Sequence, residues 1–295
     1  MATAAGRAVI TGAAGQVGLA LRETAPEGWT VLGFGARELD VTRAEQVRAI
    51  LGRERPAVVF HTAAYTAVDA AESDVERAEA VNVRGTAHVA EAAGEVGARL
   101  VHLSTDFVFD GARGRPYAPE DAPNPLGVYG RTKLAAEREA ARILGGRALI
   151  VRTAWVYSRH GQNFVLTMLR LMREREEVGV VGDQVGTPTW ARSLAEALWA
   201  AVAAAPALTG VLHWTDAGVA SWYDFAVAIQ EEAVALGLLE HAVPVRQLRS
   251  GEYPTAARRP SYSVLDKGST WEALGRRPPH WRANLRLMLR ELARG

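Results

Sequence analysis

With 295 residues, 48% of them hydrophobic, the chain is long enough to bury a large core in one big domain or two smaller ones. Its 34 basic and 33 acidic residues leave a formal net charge of +1, with neither sign gathered into a long block, so composition favours a small-molecule partner over nucleic acid or a membrane surface. Cysteine is absent, which excludes disulfides, thiolate metal sites and cysteine nucleophiles. The first ten residues run almost directly into an apolar strand, without the charged, apolar and small-residue order of a cleavable signal. No apolar run is long enough to span a bilayer, and a cytoplasmic protein is expected.

The first half alternates short apolar runs with helical patterns. RAVITG, WTVLGF, AVVFHTAA, RLVHLSTD and RALIVRTAWV have the character of strands. Between them, VGLALRETA, AEQVRAILGRE (ending before Pro56) and ERAEAVNVRGTAHVAEAAGEVG carry helical periodicity, and each is long enough for a crossover. That alternation predicts a parallel sheet covered on both faces. The second half differs: NFVLTMLRLMRERE and ARSLAEALWAAVAAA alternate with segments rich in Pro, Gly, Trp and Arg. The expected fold is therefore α/β, a Rossmann-type doubly wound parallel sheet over residues 1–150, with a smaller substrate-binding region over residues 151–295. VGVVG and GVLHW are candidates to return to the sheet. The Ala-rich residues 195–205 are expected to form a buried helix, and RERE at 173–176 a solvated helix end.

TGAAGQVG places Gly12, Gly15 and Gly18 between an apolar strand and an apolar helix. Such a turn lets backbone N–H groups and a helix N-terminus approach a pyrophosphate, and its place in the first crossover points to a dinucleotide. The second strand ends on Gly35, Ala36 and Arg37, where NAD-binding proteins often carry an acidic ribose ligand. Arg37 is either a ligand for a 2′-phosphate or a solvated loop charge.

Tyr129 and Lys133 lie one helical turn apart in VYGRTKLAAERE and share a helix face. A cation there is expected to favour the phenolate of Tyr129 and bring its pKa toward neutrality, as suits a proton donor to a forming alkoxide. At the end of the fourth strand, Thr105 is the candidate to orient a substrate carbonyl. Ser104 is expected to be a hydrogen-bonded strand end.

Taken together, TGAAGQVG, ELDVT, HTAAYTAVDAAE, VNVRGT, LSTDFVFDG, PYAPEDAPNPLGVYGRTK, RTAWVYS, GDQVGTPT and YPTAARRPSYSVLD resemble the extended short-chain dehydrogenase/reductases, and within them the dTDP-4-dehydrorhamnose reductase family. The resemblance covers nearly the whole chain. It implies Tyr129 as proton donor, Lys133 as its partner, Thr105 as third catalytic member, and NADPH, with NADH also accepted, as hydride source to the 4-keto group of a nucleotide-activated deoxysugar. It implies cofactor contacts at Gly15, Gln16 and Val17, at Asp40 and Val41 around the adenine, at Ala63, Ala64, Tyr65 and Thr66, and at Tyr129 and Lys133. On the substrate side it implies Thr105, Asp106, Tyr129 and Trp155. For Asp106 a strand-end turn, and for Trp155 a core aromatic, are the plainer readings.

A nucleotide-sugar 4,6-dehydratase is the nearest alternative, but it needs a carboxylate after the Thr–Asp pair, where this chain has Phe107. A related epimerase and a non-catalytic cofactor-binding subunit resembling the regulatory subunit of methionine adenosyltransferase also share the fold. The intact Thr105, Tyr129 and Lys133 set argues against the last. Some relatives are described with a magnesium-linked dimer using a glutamate where this chain has Ala20, so no metal is expected, and a homodimer is left open.

Overall fold

The computed structural model describes residues 6–204 and 208–294. Strands β1 (Gly6–Thr11), β2 (Trp29–Phe34), β3 (Val58–His61), β4 (Arg99–Thr105) and β5 (Ala148–Thr153) form a parallel sheet with the strand Gly210–His213. Its order is Gly210–His213, β5, β4, β3, β1, β2. The central strands β3 and β5 are buried along their whole length, as a sheet covered on both faces requires. One face packs Val9, Leu51, Val89 and Leu144, and the other Ile10, Leu21, Leu198 and Trp214. The order reverses between β1 and β3, and a crevice opens there beyond the strand ends.

Helix α1 (Gln16–Glu23) follows the glycine turn, and α2 (Ala44–Glu54) stops where the chain must stop. Its C-cap Arg55 adopts a left-handed φ of 41° because Pro56 disfavours a further helical residue before it. The single helix expected before β4 is continuous in direction but not in winding. It runs Val75–Glu79, makes a π-turn over Ala80–Arg84, and resumes as Gly85–Val96. The extra residue in that turn delivers Asn82 into the interior. Asn82 Oδ1 accepts the Tyr65 N–H at 2.8 Å, while Nδ2 donates to the Tyr65 carbonyl at 3.2 Å and to Thr132 Oγ1 at 3.0 Å.

In the second half, GVLHW does return to the sheet, pairing with β5. VGVVG does not: Val178–Val181 pairs in parallel with Val245–Leu248, outside the central sheet, and its Val178 and Val180 pack into a second core. That second core joins Tyr157, on the short strand Val156–Tyr157, to Leu169, Met172, Phe225, Ile229, Trp281, Leu285 and Met288 on helices Phe164–Glu174, Trp222–Ala235 and Trp281–Arg294. The Ala-rich helix Ala191–Ala204 is buried against the sheet, where Trp199 donates to the Leu21 carbonyl at 3.0 Å. Arg173 and Glu174 are exposed at their helix end, followed by exposed Arg175 and Glu176. Residues 1–5 and Ala205 lie outside the described residues. No helix among the described residues is long and apolar enough to cross a membrane.

The helix Val128–Leu144 is held to the sheet by buried charge. Arg152 of β5 donates to Glu137 through Nε at 2.9 Å and Nη2 at 2.7 Å, and the two side chains are only 4% and 5% exposed. Ser104 donates its hydroxyl to the same carboxylate, so its side chain belongs to this strand-end network as expected. Arg152 also lies over the Phe109 ring at 5.2 Å. Arg152→Met strands the Glu137 charge in the interior and should cost about 3–5 kcal/mol, whereas Arg152→Met with Glu137→Leu should recover much of the loss. Thermal midpoints of the two variants check this, and a single variant as stable as the wild type would contradict it.

Candidate functional site

A cavity of about 900 Å³ runs from the glycine turn to Trp155 and Trp222. At one end, Gly12 has φ +68°, and a Cβ there would sit 2.6 Å from the Ala63 nitrogen. A Cβ on Gly18 would sit 2.6 Å from the Gly12 carbonyl oxygen, so this glycine serves the approach of α1 to the turn and does not line the cavity. Gly15 caps α1 with no side-chain hydrogen bond, and the first turn carries no acid. The result is a backbone cradle, at the positive end of a helix, that fits a dinucleotide pyrophosphate.

Gly15, Gln16 and Val17 all line the cavity. The Gln16 side chain, however, is engaged elsewhere: Oε1 accepts from Ser158 Oγ and from Asn163 Nδ2, both at 3.1 Å. Its side-chain oxygen is therefore already occupied. Asp40 and Val41 line the adjoining wall, and the Asp40 carboxylate is held low chiefly by the Thr42 hydroxyl, which donates to it at 2.7 Å. Ala63, Ala64 and Thr66 also line the cavity. Tyr65 does not; its ring packs with Ala71, Ala78 and Val128, and its hydroxyl donates to Asp74 at 3.4 Å.

Gly35 and Ala36 line the cavity, while Arg37 is exposed outside it and makes no hydrogen bond or ion pair among the described residues. A carboxylate does reach this strand end, contrary to the sequence reading. Glu38 folds back so that Oε2 accepts the Gly35 N–H at 2.6 Å.

Toward the middle of the cavity, β4 ends at Thr105 and Asp106. Thr105 Oγ1 donates to Asp106 Oδ1 at 3.0 Å and accepts the Phe107 N–H at 3.2 Å. Asp106 is 2% exposed, and its Oδ2 has no hydrogen-bond partner among the described residues. Burial pushes its carboxyl up to about 6, against the hydroxyls of Ser263 and Thr105. The Asp106 side chain lines the cavity and Asp106–Val108 forms a short turn, so the strand-end and site positions coincide.

The Tyr129 ring meets the Phe107 ring edge-on at 5.7 Å. Burial pushes its phenol up to about 12, with the Thr105 hydroxyl opposing and the Asp106 charge adding to the rise. The expected lowering by Lys133 does not occur in this geometry. Lys133 Nζ is turned to the Leu103 carbonyl and lies 3.4 Å from His102 Nε2, and burial pushes its ammonium down to about 8 against the pull of Glu137. Both residues line the same cavity nonetheless.

At the far end Trp155 adopts φ +46°, a conformation costly for a non-glycine residue. It stacks on Trp222 with ring centroids 3.5 Å apart and planes 8° from parallel. Gly186 makes room, since a Cβ there would lie 2.6 Å from Trp155 Cε2. Trp155 is therefore both packed against the second core and open to the cavity. Trp222 and Arg259 line the cavity without having been singled out from the sequence, and Phe107, named there only as the position that lacks a carboxylate, lines it as well. Ala20 packs into the core, and no group of three His, Asp or Glu residues among the described residues is placed to hold a metal.

The profile of the RmlD substrate binding domain family matches residues 6–294. The chain is 44% identical to a dTDP-4-dehydrorhamnose reductase of Streptomyces griseus, over 95% of this chain and 91% of that one. It is 40% identical to a dTDP-4-dehydrorhamnose reductase of Aggregatibacter actinomycetemcomitans, over 95% and 97%. The fold superposes with a TM-score of 0.91 on a crystal structure of dTDP-4-dehydrorhamnose reductase from Bacillus anthracis in complex with NADP, at 36% identity over 98% of this chain and 100% of that one. Similarity of sequence along almost the entire length, together with the glycine cradle and the Thr105–Tyr129–Lys133 wall in one cavity, places the chain in the dTDP-4-dehydrorhamnose reductase family of the extended short-chain dehydrogenase/reductases.

Proposed function

We propose that this chain reduces the 4-keto group of dTDP-4-dehydro-6-deoxy-L-mannose with NADPH, giving dTDP-L-rhamnose. The observation that carries the reading is a single cavity with a pyrophosphate cradle at one end, a hydroxyl pair in the middle and an aromatic wall at the other. Reduced nicotinamide, when bound, supplies the hydride. The backbone at Gly15 to Val17 holds the pyrophosphate, and the wall from Asp40 to Val41 borders the adenine. Thr105 orients the substrate carbonyl through its hydroxyl. Tyr129 donates its phenolic proton to the alkoxide that forms there, and a phenol held near pKa 12 keeps that proton until the alkoxide develops. Lys133, with its ammonium on the same helix, is the partner of the phenol. Phe107 offers no carboxylate to abstract a proton beside the carbonyl, so elimination lacks a base. Trp155 presents an apolar face and one N–H donor to a deoxysugar bearing a methyl group among hydroxyls. The substrate region then comprises the end of the sheet near Thr105 and the second core behind Trp155.

NADPH absorbance followed with and without this 4-keto sugar nucleotide tests the reading. Substrate-dependent oxidation is expected; a folded, NADPH-binding protein that oxidises none would be a binding subunit instead. Tyr129→Phe should lower turnover by roughly a hundredfold to ten-thousandfold while leaving cofactor binding intact. A variant with near-normal turnover would remove the phenol from the mechanism.

The Lys133 ammonium, at about 8, is protonated below that pH and neutral above it. Since the charged form is the one that assists the phenol, kcat/KM should fall as pH rises through about 8, as a one-proton step. A profile flat to pH 10 would show that this proton is not used.

Arg37 is assigned the cofactor's 2′-phosphate: its guanidinium is free beside the cavity-lining Gly35 and Ala36, whereas the Glu38 carboxylate is already taken by the Gly35 N–H. Arg37→Ala should weaken NADPH by about one to two decades and NADH little, the yield of a charge-assisted bond of roughly 1.5–3 kcal/mol. Dissociation constants for both cofactors decide it, and equal losses would make Arg37 a solvated charge.

A further inference from the structure

The sequence holds two lysines, Lys133 and Lys267, and its other strong bases are all arginines. Lys133 lines the cavity at only 3% exposure, yet the groups that take its hydrogen bonds are uncharged. Nζ donates to the Leu103 carbonyl and lies 3.4 Å from His102 Nε2, which leaves one of its three N–H donors for the cavity. Glu137, one helical turn further on, pulls the ammonium toward its charged form, but its oxygens are already engaged. Oε1 accepts from Arg152 Nε of β5 and from Ser104 of β4, and Oε2 from Arg152 Nη2. Burial presses the ammonium down to about 8, so its neutral acceptors decide how much of it stays charged.

His102 stands on β4, is fully buried and does not line the cavity. Its neighbour on β3, His61, has both nitrogens in use. Thr86 donates its own proton to the Asn82 carbonyl at 2.6 Å, so its oxygen accepts from His61 Nε2 at 3.1 Å. His61 Nδ1 then accepts from the Thr11 hydroxyl at 2.7 Å, which fixes a neutral tautomer. Burial, the Lys133 charge and His61 together hold the His102 ring neutral as well. A neutral imidazole beside an ammonium accepts from it, which puts the His102 proton on Nδ1. That nitrogen has no partner among the described residues. A buried N–H without a partner costs stability, so the fold gains nothing from this ring. What the ring supplies is an acceptor for Lys133.

We propose that His102 is a positioning residue for the reduction: its Nε2 accepts from Lys133, keeps that lysine charged, and fixes the cation behind the wall it shares with Tyr129. The inference rests on the reading of the chain as a reductase and adds a residue that lies outside the cavity. His102 thereby sets the upper pH limit of turnover. Without it the ammonium keeps the Leu103 carbonyl alone, and the charged form that assists the phenol is lost at a lower pH. At a pH where Lys133 is fully protonated in either case, nothing changes.

His102→Leu removes the acceptor and the unpaired donor together. The alkaline limb of kcat/KM should move down by about one pH unit, leaving activity at pH 6 near that of the wild type and lowering it roughly five- to tenfold at pH 8.5. His102→Gln, whose amide oxygen reaches the Nε2 position, should return the limb most of the way. A merely structural role would lower activity alike at every pH; that outcome, or an unmoved limb, would overturn the proposal. NMR of lysine-labelled protein without substrate follows Lys133 itself, with Lys267→Arg identifying the other signal. Its titration should move down in His102→Leu, and an unchanged titration would overturn the proposal whatever the kinetics. Should His102→Leu fail to fold, the wild type still decides: nitrogen shifts of the His102 ring should place the proton on Nδ1, and a proton on Nε2 would leave Lys133 no acceptor there. A wild type that oxidised no NADPH with the sugar nucleotide, while Lys133 titrated as expected, would overturn the reading of function instead.

Discussion

The middle of the cavity depends on how closely the helix Val128–Leu144 can approach the turn after β4, and Gly130 sets that distance. A Cβ on Gly130 would stand 2.2 Å from the Phe107 carbonyl oxygen, so any side chain would lift the helix from the strand end. The same contact brings the Tyr129 ring against Phe107 and its hydroxyl next to Thr105. Two turns further along, Glu137 fastens the helix to Arg152 of β5 and Ser104 of β4 through buried, charge-assisted bonds. A buried pair of this kind is weak evidence for net stability, but it specifies one placement, because a shifted helix would leave both charges unpaired. Asn82 adds a third fastening through Thr132, and with it the loop that carries Ala63 to Thr66.

Within that frame the electrostatics of Tyr129 and Lys133 are separate, although four residues of helix put both on one cavity wall. The phenol faces Thr105 and Asp106 and is pushed toward its neutral form; the ammonium faces inward to the Leu103 carbonyl and a neutral His102. Burial lowers the His102 imidazole well below its ordinary value, with the Lys133 charge adding to the effect, so Nε2 is available as an acceptor. A cation so placed is satisfied without contacting the phenol. Its influence on Tyr129 therefore requires a change in its own hydrogen bonds, and the free energy of those bonds limits how readily the phenolate forms.

Much of this architecture is legible in the sequence because it rests on local patterns. Five apolar runs, the spacing of Gly12, Gly15 and Gly18, and the helical interval from Tyr129 to Lys133 each announce their geometry without reference to distant residues. What is not legible depends on partners far along the chain. The π-turn at Asn82 looks like unbroken helix because its cause lies at Tyr65 and Thr132. Val178–Val181 has the composition of a sheet strand but pairs with Val245–Leu248, a choice made by packing in the second core. Glu38 is three residues from the glycine whose N–H it takes, yet only the turn at Gly35 brings the two together. Trp222 and Arg259 lie in the second half, where no periodicity marks them as facing the cavity.

The two ends of the cavity are also joined to one another. Gln16, in the glycine turn, accepts hydrogen bonds from Ser158 and Asn163; Asn163 in turn caps the helix Phe164–Glu174 by accepting the Leu166 N–H at 3.2 Å. Phe164, the first residue of that helix, lies 4.6 Å from Trp222, and Trp222 is the ring on which Trp155 stacks. At its other end α1 is gripped by Arg159 and His160, both on Glu23, at 2.9 and 3.0 Å. The backbone strain at Trp155 is sustained because this chain of contacts and the glycine at position 186 over-determine where its ring must lie. The cradle at the glycine turn and the aromatic wall therefore occupy fixed positions relative to each other. On the reading proposed above, a hydride crosses between a nicotinamide and a sugar placed between these two fixed ends, over a distance that leaves little tolerance.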